Sequence, residues 1–151
     1  FQLTSQQEIN DNFIKNNQTP SEHIASLYPL FLKLSNNQRA KEMSQRIIDQ
    51  FLFPGGLVTT TKQTGQQWDF PNAWAPNQWI GYMAMKNYGF DDVAEKIKNN
   101  WSKNVERVYN NTGKLMEKYN AVDVKTIAGG GEYPNQDGFG WTNGVYLKMN
   151  N

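Results

Sequence analysis

The sequence predicts an all-α fold of helical hairpins, with long Gly- and Trp-rich loops gathered at one rim. Three observations predict it. Apolar residues recur at helical spacing in successive stretches, strand signals are minor, and polar and aromatic residues concentrate in the connections. Hairpins joined by such loops fit an α/α solenoid or toroid. No sequence repeat is visible, so this rests on element order.

Residues 1–18 are polar, with a weak Ile9/Phe13 pair, and read as a frayed lead-in. A helix start follows at Thr19-Pro20-Ser21-Glu22: Thr19 caps, Pro20 takes the first helical position and Glu22 completes a capping box. Ile24, Leu27, Phe31 and Leu34 continue it, with a kink at Pro29. After Ser35-Asn36-Asn37, a second helix carries Ala40, Met43, Ile47 and Phe51 and stops at Pro54-Gly55-Gly56. The two are expected to pair as a hairpin. Leu57 to Lys62 reads as extended. From Asn77 to Tyr88 a third helix is apolar around much of its circumference, the pattern of burial on several sides, and Gly89 ends it. Asp92 and Glu95 open a fourth helix along Val93, Ile97, Trp101, Val105 and Val108, ending near Gly113. Gly138 to Met149 reads as a fifth.

The chain has 151 residues, enough for one domain with a real core. Its formal charge is +1, with 15 basic and 14 acidic side chains well mixed, so no basic stripe exists for nucleic acid. No apolar run approaches the roughly 20 residues that span a bilayer, so no membrane partner is expected. The absence of Cys removes disulfides and thiolate metal sites. No leader is visible, but the chain starts at Phe1, which leaves cytoplasmic and periplasmic or secreted locations open. Polarity is carried by amides, 19 Asn and 12 Gln. Amides both donate and accept, which suits hydroxyl-rich ligands; a compositional bias towards Asn is the plainer explanation for those along helices. Five Trp exceed the needs of a small core, and Trp is a natural platform for the C–H face of a sugar.

Chemistry concentrates in two stretches. Gln67 to Pro76 holds Trp68, Asp69, Asn72 and Trp74 between stiffening prolines, and reads as a rigid sugar-facing wall or as a loop plugging a gap between helices. Asp69 among aromatics needs a partner. Lys114 to Trp141 holds Glu117 and Glu132 around the run Gly129-Gly130-Gly131. Such glycines suit a chain that must move or must approach another group closely. Before an acid flanked by Tyr133, Phe139 and Trp141 they suggest a mobile flap; a plain surface loop fits equally. Glu117, between Lys114 and Lys118, reads locally as a solvated charge. His23, the only histidine, reads as a surface residue, so neither a metal pair nor a Ser-His-Asp arrangement can be built.

The segment Q-W-D-F-P-N-A-W-A-P at Gln67 to Pro76 resembles, at every position, the second signature of the trehalases, the family 37 glycoside hydrolases. Agreement continues through P-G-G-L-V-T-T at Pro54 to Thr60, Q-W at Trp79, N-Y-G at Asn87, L-M-E-K-Y at Glu117 and G-G-G-E-Y-P-N-Q-D-G-F-G-W-T-N-G-V from Gly129. It covers roughly residues 27–149 and is strongest over 54–149. The resemblance implies a partial (α/α)6 toroid, the C-terminal part of a catalytic domain over residues 1–151. It implies hydrolysis of α,α-trehalose to glucose with inversion, without metal or cofactor. It puts the general base on Glu117 and a substrate-binding lid carboxylate on Glu132, reversing the local ranking of the two. Trp68, Asp69, Asn72, Trp74 and Trp141 are expected to line the substrate.

The family's first signature, its arginine-bearing substrate motifs and the aspartate that acts as general acid have no match here. We therefore expect a fragment or truncated product that carries base and lid but no acid and is inactive alone. A sugar-binding remnant, taking up trehalose or glucose without turnover, is the alternative. Helix faces left without neighbours, on the third helix and around Phe31 and Leu32, are expected to drive association.

Overall fold

The computed structural model describes residues 22–151. The expected lead-in over residues 1–18 and the Thr19-Pro20-Ser21 helix start lie outside the described residues. A 3-10 turn at Ile24–Leu27 runs into α1 (Tyr28–Phe31). Next come α2 (Asn37–Arg46), prolonged by a π-helical turn at Ile47–Phe51, then β1 (Leu52–Phe53), β2 (Gly56–Leu57) and β3 (Asn72–Trp74). The chain continues through α3 (Ala75–Asn87), α4 (Asp91–Thr112), β4 (Lys118–Asn120) and α5 (Gly140–Asn150). The described residues are mainly helical, with strands of two or three residues.

Most helices follow their local signals. Asn36 caps α2 by accepting from Arg39 N at 2.9 Å. Gly89 and Gly113 turn the chain after α3 and α4 in the left-handed region, at φ +75° and +69°. Asp91 and Asp92 sit in the first turn of α4, where the helix dipole favours them. Phe139, expected inside the last helix, is instead its capping residue.

The first helix differs from expectation. Ile24 to Phe31 is a 3-10 turn followed by one α turn, with Pro29 in the opening positions of the latter. Pro29 lacks an N–H, so it begins a helix more readily than it continues one. The expected hairpin with α2 does not form. Instead α1 packs chiefly on α3, where Asn87 donates to Phe31 O at 2.8 Å. Between the Ile24–Leu30 segment and α2 lies a groove of about 560 Å3, floored by Leu27, Leu30, Ile47 and Phe51.

The pair α3/α4 makes the most extensive contact between elements and is the centre of the fold. Leu27, Leu57, Met85, Ile97, Trp101 and Tyr119 are fully buried around it, and Trp101 meets Tyr119 edge-on at 4.9 Å. The all-round apolar character of α3 is only partly matched by burial. Gly81, Ala84 and Met85 are buried, while Trp79, Ile80, Tyr82 and Met83 are half-buried. Leu32 and Leu34 are exposed.

Several amides along the helices turn out to be clamps on loop backbone. Gln78 pairs with Leu57 as a strand would, accepting from its N at 2.7 Å and donating to its O at 2.8 Å. Asn100 donates to Phe53 O, and Asn104 donates to both Gly55 O and Asn120 O. Buried backbone groups outside regular ladders need such partners. This accounts for these residues better than compositional bias or sugar contact does.

Candidate active site

The site is built on a two-strand ribbon. β3 pairs antiparallel with β4, setting Asn72 opposite Asn120, Ala73 opposite Tyr119 and Trp74 opposite Lys118. This pairing joins the Gln67–Pro76 stretch to the strand that follows Glu117. The loop after the glycine run then folds back along the same strand. Glu117 N donates to Gln136 O at 2.8 Å, and Asn135 Nδ2 donates to Lys118 O at 3.2 Å. Trp141 Nε1, on the first turn of α5, donates to Glu117 O at 3.0 Å. Thr142 Oγ1 donates to Met116 O at 2.6 Å. The backbone at Glu117 is therefore fixed from two sides, by loop and by helix.

That environment overturns the local reading of Glu117 as a solvated charge. Glu117 is only 5% exposed. Its Oε1 accepts from the Tyr133 hydroxyl at 3.0 Å, and its buried Oε2 has no hydrogen-bond partner among the described residues. Buried carboxylate oxygens are normally satisfied, so the two oxygens of Glu117 differ: Oε1 is anchored and Oε2 is unpaired, as are Gln67 Nε2 and Oε1 and Trp74 Nε1 nearby in the wall. Lys118, fully buried, donates from Nζ to Gly130 O at 2.8 Å and lies 5.8 Å and 5.5 Å from the ring centres of Trp74 and Tyr133. Burial pulls the Lys118 ammonium below its ordinary pKa, against the fields of Glu117 and Glu132. The Tyr133 phenol is held above its ordinary value by desolvation and by its bond to Glu117.

Glu132 is exposed, and its Oε2 accepts from Gln67 N at 3.0 Å. The glycine run before it closely approaches other groups. Asn72 Oδ1 accepts from Gly129 N and its Nδ2 donates to Gly130 O, both at 2.9 Å. A Cβ on Gly129 would stand 2.5 Å from Pro71 Cγ, and one on Gly131 would overlap Gln67 Oε1, at a φ of +144°. Of the two reasons for the glycines, close approach is the one this conformation displays.

The aromatic residues form one cluster. Trp68 stacks on Trp74 at 3.9 Å with planes within 7°, and Trp141 meets the pair edge-on at 6.3 Å and 5.7 Å. Trp74 is buried behind the others, whereas Trp68 and Trp141 are half-buried. Asp69 has found its partners outside this cluster: Thr60 Oγ1 donates at 2.8 Å, and Thr64 N also donates. Burial pushes the Asp69 carboxyl up, but the bonds from Thr64, Thr60 and Phe70 N outweigh it and leave the pKa below the ordinary value. Its stabilisation is thus full above the ordinary carboxyl value and is lost as pH falls through the lower folded one. Asp69→Asn should flatten the acid branch of the stability curve, measured by thermal unfolding from about pH 7 to about pH 3. A wild-type advantage that stays constant over that range would contradict it.

Sequence reasoning passed over Lys118, Tyr133, Gln67 and Asn135 as site residues. Lys118 and Tyr133 stand beside the two acids, but their reach depends on the ribbon and the returning loop. A second concavity, about 360 Å3, lies by Tyr109, Lys114 and Phe139. Neither it nor the groove beside α2 is lined by Glu117.

Comparison with known proteins gives the family of the chain. The family model described as Trehalase matches residues 8–150. The chain belongs to the trehalase family. A periplasmic trehalase of Pseudomonas aeruginosa is 48% identical over 132 residues, covering 86% of this chain and 24% of that protein. A periplasmic trehalase of Salmonella agona is 45% identical over 142 residues, covering 94% of this chain and 24% of that protein. Among solved structures, the neutral trehalase of Saccharomyces cerevisiae matches with a TM-score of 0.72 at 24% identity, over 87% of this chain and 24% of that one. That likeness is one of fold. This member of the trehalase family thus spans about a quarter of the length of the relatives it matches. Within it, the ribbon and returning loop unite the segments where the trehalase resemblance is strongest.

Proposed function

We propose that this chain supplies the base-bearing wall of an inverting α,α-trehalase, part of an (α/α)6 toroid whose remaining helices and general acid come from sequence outside it. The observation that carries this reading is the Glu117 carboxylate, buried on the family's L-x-E-K-Y motif with Oε1 anchored and Oε2 unpartnered. Inversion requires a carboxylate that takes a proton from water on the face opposite the leaving group. Oε2 takes that proton as the water oxygen bonds to the anomeric carbon. The bond to the second glucose breaks, and the acid protonates its departing oxygen. No cofactor or metal enters this scheme.

Glu132 binds sugar hydroxyls from the loop above, and the exposed sides of Trp68 and Trp141 offer the apolar platform. Asp69, Asn72 and Trp74 serve the substrate indirectly, since their polar groups or ring faces are already engaged in holding loop and wall. The relatives' names favour a periplasmic location. No helix among the described residues is long and apolar enough to cross a membrane.

The test joins this chain, by fusion or in trans, to the upstream portion of a relative and follows trehalose by proton NMR. Inversion makes the attacked glucose β while the leaving one stays α, so both anomers should form initially in equal amounts. Initial release of α-glucose alone would contradict the mechanism. Trehalose binding without any glucose would favour the non-catalytic sugar-binding reading.

A further inference from the structure

Beyond the two acids, the residues joining Glu117 to its neighbouring loop form a mechanical unit, and the inference drawn from it rests on the reading of Glu117 as base. The connection runs both ways. From the β4 side, Lys118 Nζ crosses to the loop and donates to Gly130 O at 2.8 Å. From the loop, the Tyr133 hydroxyl crosses back and donates to Glu117 Oε1 at 3.0 Å. The two arms meet, since the Tyr133 ring centre lies 5.5 Å from Lys118 Nζ. Between the crossing points stands Glu132, held on Gln67 N.

A buried ammonium needs strong reason to be retained in a wall of Trp and Tyr rings, because desolvation is costly without a partner. Its only hydrogen bond among the described residues is to a backbone carbonyl of the glycine run. That carbonyl can face it because Gly130 sits at φ +88°, a conformation side chains rarely adopt. The loop is thus shaped to be gripped at Gly130 and to deliver a hydroxyl at Tyr133. Tyr133 is 43% exposed, so its hydroxyl and the ring beside Lys118 are what tie it to the wall.

We infer that Lys118 and Tyr133 are positioning residues forming a latch between the glycine loop and the base. Seating the loop orients Glu117 through Oε1 and leaves Oε2 free for water. Loop closure and assembly of the base are then one event. Breaking either arm loosens the loop and lets the carboxylate rotate, which harms turnover more than substrate affinity.

Two variants separate the arms: Lys118→Met keeps the buried stem without its ammonium, and Tyr133→Phe keeps the ring without its hydroxyl. Hydrogen exchange on the 151-residue chain reads the latch without any catalysis. Each variant should speed exchange over residues 129–133 by about fivefold or more while α4 stays unchanged. In the enzyme completed by the upstream portion, each should lower kcat about tenfold with KM within about twofold. Unchanged loop exchange in either variant, or equal acceleration in α4, would overturn the latch. A loosened loop with KM raised and kcat intact would overturn its action through the base. If the completed wild-type enzyme releases no glucose, the base assignment itself fails, and exchange alone decides whether the latch exists.

Discussion

Replacing Glu117 with Gln in the completed enzyme should lower kcat by at least about 10²-fold while KM changes only a few fold. The amide keeps the size of the side chain and can still accept from Tyr133. It cannot take a proton from water at the position of Oε2, so the loss falls on the transition state. Glu132→Gln should behave differently. Its carboxylate lies exposed on the loop and holds Gln67 N, so the change should chiefly raise KM, with a smaller fall in kcat if the loop seats less well. Steady-state kinetics on trehalose separate the two. A Glu132 variant with the larger kcat defect and unchanged KM would mean that the roles are reversed.

The isolated chain should release glucose at a rate at least about 10²- to 10⁴-fold below the completed enzyme, the usual worth of general acid help. Two causes act together. On the proposed reading the general acid lies outside this chain, and the chain spans only about a quarter of its relatives' length. A coupled glucose assay on purified chain checks this, with Glu117→Gln as the blank. Release by the chain alone that vanishes in the variant would require an acid within these residues.

The local parts of this fold were legible in the sequence because their signals are local. The break at Ser35-Asn36-Asn37, the apolar face through Ala40 and Ile47, and the stops at Gly89 and Gly113 all act within one helical turn of themselves. The need of Asp69 for a partner was equally legible, since a charge among aromatic residues is costly wherever the chain goes. What could not be read was the surroundings of Glu117. Two flanking lysines make the segment look solvated, yet Lys118 is fully buried because β4 pairs with a strand far away in the chain. Pairing over that distance leaves no periodic trace in three residues. The failed α1/α2 hairpin has a related cause. Sequence showed that Pro29 disturbs a helix, but not that the shortened turn would be claimed by Asn87 on α3. Only the family resemblance singled out Glu117, and what the structure adds is its burial by the ribbon and the loop.

Anion rescue tests the assignment of the base most directly. In the completed enzyme, Glu117→Ala opens space on the side from which water attacks, and azide needs no base to act as nucleophile. Azide should therefore restore trehalose cleavage in Glu117→Ala and yield β-glucosyl azide with one glucose, whereas Glu132→Ala should gain nothing from it. Rescue of Glu132→Ala with none for Glu117→Ala would contradict the account, because the base would then stand on the loop and not on the wall.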